Sequence, residues 1–148
     1  MRIYFAGSMV DGQIYGEGMR AIVSELRKEG HRILTGFVIG EPLDEGYPEN
    51  AWARDIPLLQ ECDAVVAEVS QPSFGAGIEL GIAAVAFGKP VLCLRHQSLE
   101  KAKLSHLIMR GPYKLAYYDH EVEGSISSAV RKFTETINAE GKIERERG

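Results

Sequence analysis

Residues 64–67 read Ala-Val-Val-Ala and residues 91–94 read Val-Leu-Cys-Leu, two runs without a charged or strongly polar side chain. A strand that is covered by helices on both faces of a parallel sheet has this continuously apolar composition. Because segments with helical spacing of apolar residues separate such runs, the sequence predicts an α/β fold with a mainly parallel sheet.

Five segments of the chain have the composition of strands. We predict them near Arg2 to Ala6, His31 to Leu34, Ala64 to Val69, Pro90 to Leu94 and Lys114 to Tyr118. Right-handed crossovers favour a flavodoxin-like five-stranded sheet of order 2-1-3-4-5 with helices on both faces. Such folds bind ligands at the carboxyl ends of the strands where the order reverses. The site is therefore expected beside the loops after strands one and three.

Helices are expected between these strands. The predicted helices cover Tyr15 to Glu29, about Asn50 to Glu61, Gly77 to Phe87, shorter turns within Leu99 to Met109, and a final helix marked by Ile126, Val130, Phe133 and Ile137. Pro57 is expected to kink or shorten the second helix. The segment from Gly36 to Glu49 is long for a connection and is a candidate lid. Residues 140–148 are charged and predicted to form a solvated tail.

Composition limits the classes of function. The 148 residues, 45% hydrophobic and 26% charged, suit one domain spanning residues 1–148. A net charge of −4 argues against a nucleic-acid binder. Gly7 and Ser8 interrupt the N-terminal apolar run, and no stretch approaches the ~18 apolar residues of a membrane span, so we expect a cytoplasmic protein without a membrane partner.

Cysteine and histidine spacing does not predict a redox or metal site. Cys62 and Cys93 each lie in an apolar setting, which is typical of buried thiols and not of a disulfide framework. The four histidines, His31, His96, His106 and His120, show no HxxxH or HExxH spacing. We therefore expect neither a metal nor an organic cofactor.

The loop after strand three reads Ser-Phe-Gly-Ala-Gly-Ile-Glu over residues 73–79 and leads into a helix. Backbone N–H groups at a helix N-terminus can bind an anion. Gly75 and Gly77 permit close approach or positive φ, and Ser73 adds a hydroxyl donor. An equally good interpretation is that the glycines only let the helix pack on the sheet.

Two carboxylates are candidates for chemistry. Glu79 is predicted in the first turn of its helix, where the dipole favours the ionised form, and an ionised carboxylate can act as a nucleophile. Asp55, preceded by Arg54, is the second. Two carboxylates flanking a glycosidic bond are the groups that glycoside cleavage requires. The alternatives are a Glu that complements the helix N-terminus and an exposed helical Asp.

Two nucleotide- and phosphate-linked patterns are absent. The glycines at 75, 77 and 81 are spaced one residue too long for GxGxxG and follow the third strand instead of the first. A phosphorelay receiver needs an acidic pair after strand one, where this chain has Ala6-Gly7-Ser8.

Residues 4–8, Tyr-Phe-Ala-Gly-Ser, together with Asp55 and the block from Asp63 to Gly81, resemble the nucleoside 2-deoxyribosyltransferase family. The likeness is closest to its hydrolytic branch, the 2'-deoxynucleoside 5'-phosphate N-hydrolases. It extends from strand one to the segment from Ser105 to Gly111. The resemblance implies an N-glycosidase that cleaves the base–deoxyribose bond of 2'-deoxynucleoside 5'-monophosphates without a cofactor.

The resemblance also implies roles for residues. Glu79 is implied as the nucleophile that forms a deoxyribosyl ester, Asp55 as the group that assists departure of the base, and Tyr4 as the residue that orients the nucleophile. Substrate binding is implied for Ser73, Gly75 and Gly77 at the 5'-phosphate, for Gly7 and Ser8 at the sugar and base, and for Ser105 reaching the phosphate across a homodimer interface.

Residues 9–12, Met-Val-Asp-Gly, depart from the hydrolase pattern, which has an Arg and glycines there. A transferase that exchanges bases on free 2'-deoxynucleosides therefore stays open, as does a nucleotide-binding module without catalysis. The apolar residues around Ser105, which are Leu104, Leu107, Ile108 and Met109, fit a dimer interface or an ordinary core helix.

Overall fold

A computed structural model of the protein, which describes residues 1–9 and 14–147, contains a five-stranded parallel sheet. Its order is β2-β1-β3-β4-β5, so the predicted fold class and strand order are confirmed. The strands are β1 (Arg2–Ala6), β2 (Arg32–Ile33), β3 (Ala64–Glu68), β4 (Val91–His96) and β5 (Lys114–Tyr118).

The helices cover both faces of the sheet. They are α1 (Gly16–Lys28), α2 (Ala51–Glu61), α3 (Phe74–Gly81), α4 (His106–Arg110) and α5 (Ser125–Arg147). A π-helical turn, Ile82–Ala86, continues α3, and 3₁₀ turns occupy Gly36–Ile39 and Gln97–Leu99. Among the described residues, no helix is long and apolar enough to cross a membrane. Cys62 and Cys93 are buried free thiols, as predicted.

Alternation along the strands divides the core into two layers. Ile3 and Phe5 of β1 pack with residues of α1 and α5. Tyr4 and Ala6 point to the opposite face and pack with residues of α2 and α3. Because successive side chains of a strand face opposite sides, Tyr4 is the β1 residue that the fold places under the helix carrying Glu79.

Strand β2 is shorter than the predicted His31 to Leu34 because the Thr35 side chain takes the place of the backbone hydrogen bonds that would extend the strand. The Leu34 N–H still donates to the Ile3 carbonyl at 2.9 Å. Beyond it, the buried Thr35 hydroxyl donates to the Phe5 carbonyl at 2.6 Å and accepts from the Phe5 N–H at 2.8 Å. The backbone at Thr35 is thereby released from the sheet and turns into the 3₁₀ segment.

Helix α3 begins at Phe74, three residues before the predicted start at Gly77. Ser73 is its N-cap, and the Ser73 hydroxyl accepts from the Ala76 N–H at 3.2 Å. The low helix propensity of the two glycines concealed this start in the sequence. Glu79 consequently lies in the second turn, and the prediction that placed it in the first turn is wrong.

The structure adds detail at two other helices. Helix α5 extends to Arg147, so the charged segment from residue 140, which was predicted to be a solvated tail, continues that helix. Glu, Lys and Arg are good helix formers, and a charged composition therefore does not end a helix. Pro57 lies inside α2 without shortening it, and Asn50 caps that helix by accepting from the Ala53 N–H at 3.0 Å.

Candidate active site

Three of the predicted catalytic residues come together between the sheet and its α2 and α3 layer. Tyr4 lies on β1, Asp55 on α2 and Glu79 on α3. The Tyr4 side chain is 1% exposed, and its hydroxyl interacts with the Glu79 carboxylate, whose pKa it lowers. The Asp55 carboxylate acts electrostatically on both of the other groups. The fold thus places two carboxylates and a phenol in one partly enclosed site.

Glu79 has an unusually basic carboxylate. Burial raises its pKa to about 7, and the negative charge of Asp55 adds to the increase, while the hydrogen bond from Tyr4 and the charge of Arg54 oppose it. Burial and the like charge of Asp55 therefore favour the protonated form of Glu79 relative to a carboxyl group in water. Near neutral pH, Glu79 is divided between its protonated and ionised forms.

Asp55 is buried, with 8% of its surface exposed. The Arg54 guanidinium donates two hydrogen bonds to the Asp55 carboxylate, from Nε to Oδ1 at 2.6 Å and from Nη2 to Oδ2 at 3.1 Å. Arg54 also stacks on the Phe37 ring, with its Cζ 4.2 Å from the ring centroid. The alternative of an exposed helical Asp is therefore excluded.

Sequence reasoning gave no role to Arg54 or Phe37. Adjacent residues on a helix do not normally face each other, so the Arg54–Asp55 pair has no sequence signature. Phe37 lies in the segment predicted as a lid and reaches Arg54 only because the 3₁₀ turn follows Thr35 directly. The sequence feature that could have indicated this contact is the aromatic residue shortly after strand two.

The hydroxyl of Tyr4 is a hydrogen-bond donor at any physiological pH. Burial raises the pKa of Tyr4 far above its usual value, and the charges of Glu79 and Asp55 raise it further. A neutral phenol cannot act as a base here. It can orient the Glu79 carboxylate and stabilise its ionised form.

The N-terminus of α3 forms the open side of this region. Phe74 and Gly75 occupy its first two positions, where N–H groups have no acceptor within the helix. The Gly77 N–H donates to the Ser73 carbonyl at 3.0 Å, so the prediction that this amide holds an anion needs correction. A Cβ at Gly77 would meet no atom within 4 Å, and neither Gly75 nor Gly77 has positive φ. Their small size keeps the helix surface open.

Gly7 and Ser8 follow β1 and are buried. A Cβ at Gly7 would lie 2.5 Å from Met19 Sδ, so the absence of a side chain lets α1 pack against this loop. Asp11 and the rest of residues 10–13 lie outside the described residues. Ser105 is the exposed N-cap residue of α4, on a different element from the carboxylates.

The elevated pKa of Glu79 can be measured directly. We expect the Glu79 carboxyl carbon to titrate near pH 7 in an NMR experiment, and Asp55→Asn to lower that midpoint because it removes the neighbouring negative charge. The control is Asp44→Asn, an exposed site in another segment, which should leave the midpoint unchanged. A midpoint near 4.5 in the wild type contradicts the assignment.

Comparison with known proteins identifies the family of this chain. The sequence model of the family described as nucleoside 2-deoxyribosyltransferase matches residues 3–138. A relative from Danio rerio named 5-hydroxymethyl-dUMP N-hydrolase is 40% identical over 143 residues, covering 93% of this chain and 98% of that protein. A rat protein of the same name is 46% identical over 98 residues, covering 62% of this chain and 59% of the rat protein.

The match to the rat relative thus spans less than two thirds of that protein's length. The solution structure of BlsM shares the fold, with a TM-score of 0.65 at 19% identity over 93% of each chain. The family match covers most of the chain, including all three residues of the buried site. The chain therefore belongs to the nucleoside 2-deoxyribosyltransferase family.

Proposed function

We propose that the protein is an N-glycosidase that hydrolyses the base–deoxyribose bond of 2'-deoxynucleoside 5'-monophosphates through a covalent intermediate on Glu79. The observation that carries this proposal is the buried Asp55 carboxylate together with the half-buried Glu79 carboxylate and the Tyr4 hydroxyl that interacts with it. The named relatives support the class of reaction, since they are called N-hydrolases of a nucleoside monophosphate.

In the first step, an oxygen of the ionised Glu79 carboxylate attacks the anomeric carbon and the carbon–nitrogen bond to the base breaks. The base leaves with the bonding electron pair and takes a proton from a water that the Asp55 carboxylate orients, and Asp55 thereby assists its departure. In the second step, water attacks the same carbon, the ester bond to Glu79 breaks, and the proton that this water loses balances the one that the base gained. The products are the free base and deoxyribose 5-phosphate, with retention at the anomeric carbon.

Tyr4 and Arg54 position the two reacting groups. The Tyr4 hydroxyl fixes the rotamer of Glu79, and the two-point contact with Arg54 fixes the carboxylate plane of Asp55. Such positioning contributes to catalysis because it removes the entropic cost of aligning the groups during reaction.

The 5'-phosphate is proposed to bind at the N-terminus of α3. The free N–H groups of the first turn and the positive end of the helix dipole favour an anion there, close to Ser73. Gly7 and Ser8 are proposed to line the sugar and base side, and Ser105 of a second copy is proposed to reach the phosphate.

A substrate panel tests the proposal. Monophosphates should exceed the matching nucleosides in kcat/KM by at least about tenfold, which needs only ~1.4 kcal/mol of additional transition-state binding. Free base released from a monophosphate without an acceptor base is the expected product. Preference for nucleosides with an acceptor base would establish the transferase alternative, and binding without release of base would establish the binding module.

A capping residue provides the matched control for the phosphate site. Ser73→Asp keeps an N-cap acceptor but places a negative charge beside the phosphate, so the preference for monophosphates should disappear while α3 stays folded. Asn50→Asp makes the same change at the cap of α2 and should preserve the preference. If Ser73→Asp retains the full preference, the phosphate binds elsewhere.

We also propose that the protein acts as a cytoplasmic homodimer. Helix α3 exposes Phe74 by 96%, Ile78 by 57% and, beyond its end, Val85 by 79%. In α4, Leu107 and Met109 are likewise exposed, while Ile108 packs on the core. An apolar surface on the helix that carries Glu79 favours an interface next to the site.

The solution mass tests the dimer. Light scattering should give twice the 16.3 kDa of the chain, and Phe74→Asp with Ile78→Asp should reduce it to the monomer mass. Val122→Asp, an exposed apolar residue near β5, serves as the control and should stay dimeric. A monomeric wild type with full activity contradicts the proposal.

A further inference from the structure

A second group of side chains with coordinating atoms lies on the other layer of the fold. His96 is the last residue of β4, and Asp119 and His120 directly follow β5. The two strands pair in parallel with His96 opposite Tyr118, so their carboxyl ends bring the three residues together. Tyr118 packs in the core with α1 and α5, whereas Tyr4 belongs to the α2 and α3 layer.

The three side chains have the geometry of an incomplete metal shell. One ligand atom from each residue can be chosen so that all three lie within 4.8 Å of one another. His96 Nε2 lies 3.8 Å from Asp119 Oδ1, and the His96 and His120 ring centroids are 5.7 Å apart. Ligand atoms of a tetrahedral Zn²⁺ site are separated by about 3.4 Å, since each lies about 2.1 Å from the ion. The three ligand atoms must therefore approach one another to bind one ion.

Neighbouring groups orient two of the ligands. The Ser98 N–H donates to His96 Nδ1 at 3.3 Å, and Ser98 Oγ lies 2.8 Å from the same nitrogen. Coordination through His96 Nε2 therefore requires the ring proton to lie on Nδ1, so that binding exchanges the bond from the Ser98 N–H for one donated from Nδ1 to the Ser98 hydroxyl. Asp119 is held by the Glu121 N–H, which donates to Asp119 Oδ1 at 3.0 Å.

His120 supplies an independent indication. Its Nδ1 is buried and has no hydrogen-bond partner among the residues that the structure describes. A buried polar atom without a partner is costly, and coordination or an ordered water removes that cost. Glu17 of α1 lies on the other side of the ring, with its Oε2 3.7 Å from His120 Nε2.

We propose that His96, Asp119 and His120 form a binding site for a divalent transition-metal ion, with Zn²⁺ as the probe of choice. Two imidazoles and a carboxylate are a donor set that suits such ions. The bound ion joins the ends of β4 and β5. It acts on stability and not on the reaction, because the site faces the layer opposite Tyr4.

The experiment uses tag-free full-length protein, so that no added histidines bind metal. After treatment with EDTA and dialysis, calorimetric titration should show one equivalent of Zn²⁺ with a Kd below about 100 μM. At a free concentration of about 100 times the Kd, the Tm should rise by about 5–10 °C. NMR signals of the His96 and His120 ring protons should shift on addition of Zn²⁺.

Variants locate the ion. His96→Ala and His120→Ala should each weaken Zn²⁺ binding at least about tenfold, and Asp119→Asn should weaken it while keeping the side-chain shape. His106→Ala removes an exposed imidazole from α4 and should change nothing. The proposal is overturned if the wild type binds no stoichiometric Zn²⁺, or if its His96 and His120 ring signals do not shift when the ion binds.

Discussion

Glu79→Gln and Glu79→Ala should lower kcat/KM on deoxynucleoside monophosphates by at least about three orders of magnitude, because each variant lacks the carboxylate that we propose attacks the sugar. The measurement is release of free base from the preferred substrate. A slow substrate with fluorine at the 2' position should leave a deoxyribosyl adduct on Glu79 of the wild type that mass spectrometry detects. Activity within a few-fold of the wild type contradicts the assignment.

Glu79→Gln should also stabilise the fold, so a loss of activity in this variant cannot be caused by unfolding. The folded-state pKa of Glu79 is about 7 and its ordinary value is 4.5, so the native state binds the extra proton between these values. Stability of the wild type therefore falls as pH rises from about 4.5 to 7. At pH 8, Glu79→Gln should exceed the wild type by on the order of 2 kcal/mol, and the difference should shrink towards pH 5. The exposed Glu135→Gln should show neither effect.

Asp55→Asn should lower turnover by roughly two orders of magnitude or more on substrates with poor leaving groups, and much less on substrates with activated bases. General acid assistance matters most where the leaving group is most basic. Tyr4→Phe should lower activity evenly across leaving groups, because it affects the placement of the nucleophile and not the departure of the base. The plot of log kcat/KM against leaving-group pKa measures both slopes.

This comparison has a control within the site. Arg54→Lys keeps a positive charge beside Asp55 but loses the two-point contact, so it should reduce activity without reproducing the leaving-group dependence of Asp55→Asn. Equal losses with every leaving group for Asp55→Asn would remove the assisting role from that residue.

The sheet was predictable from the sequence because the composition of its central strands fits few other structures. The runs at 64–67 and 91–94 must be covered on both faces, and right-handed crossovers leave few strand orders. Residue types and approximate positions of Tyr4, Asp55 and Glu79 followed from the resemblance. Their roles, and those of the proposed binding residues, stay predictions until the variants are measured.

Features that depend on side-chain geometry were not predictable. The pKa of Glu79 depends on how deeply α3 is buried and on the position of Asp55, which is on another element. The pair of Arg54 and Asp55 joins sequence neighbours, which on a helix do not normally face each other. His96 and His120 have no metal-binding spacing because strand pairing, and not a helical repeat, brings them together.

The ion pair between Arg54 and Asp55 determines the charge balance of the buried site. With Glu79 protonated, the guanidinium and one carboxylate cancel; with Glu79 ionised, the enclosure has one uncompensated negative charge. A sugar that develops positive charge as its base departs restores neutrality within the enclosure. The charge balance thus raises the free energy of ionised Glu79 before reaction and lowers the free energy of the oxocarbenium-like transition state. A neutral sugar is stabilised much less by the same negative charge. The site therefore binds the transition state more tightly than the ground state because of the difference in their charge.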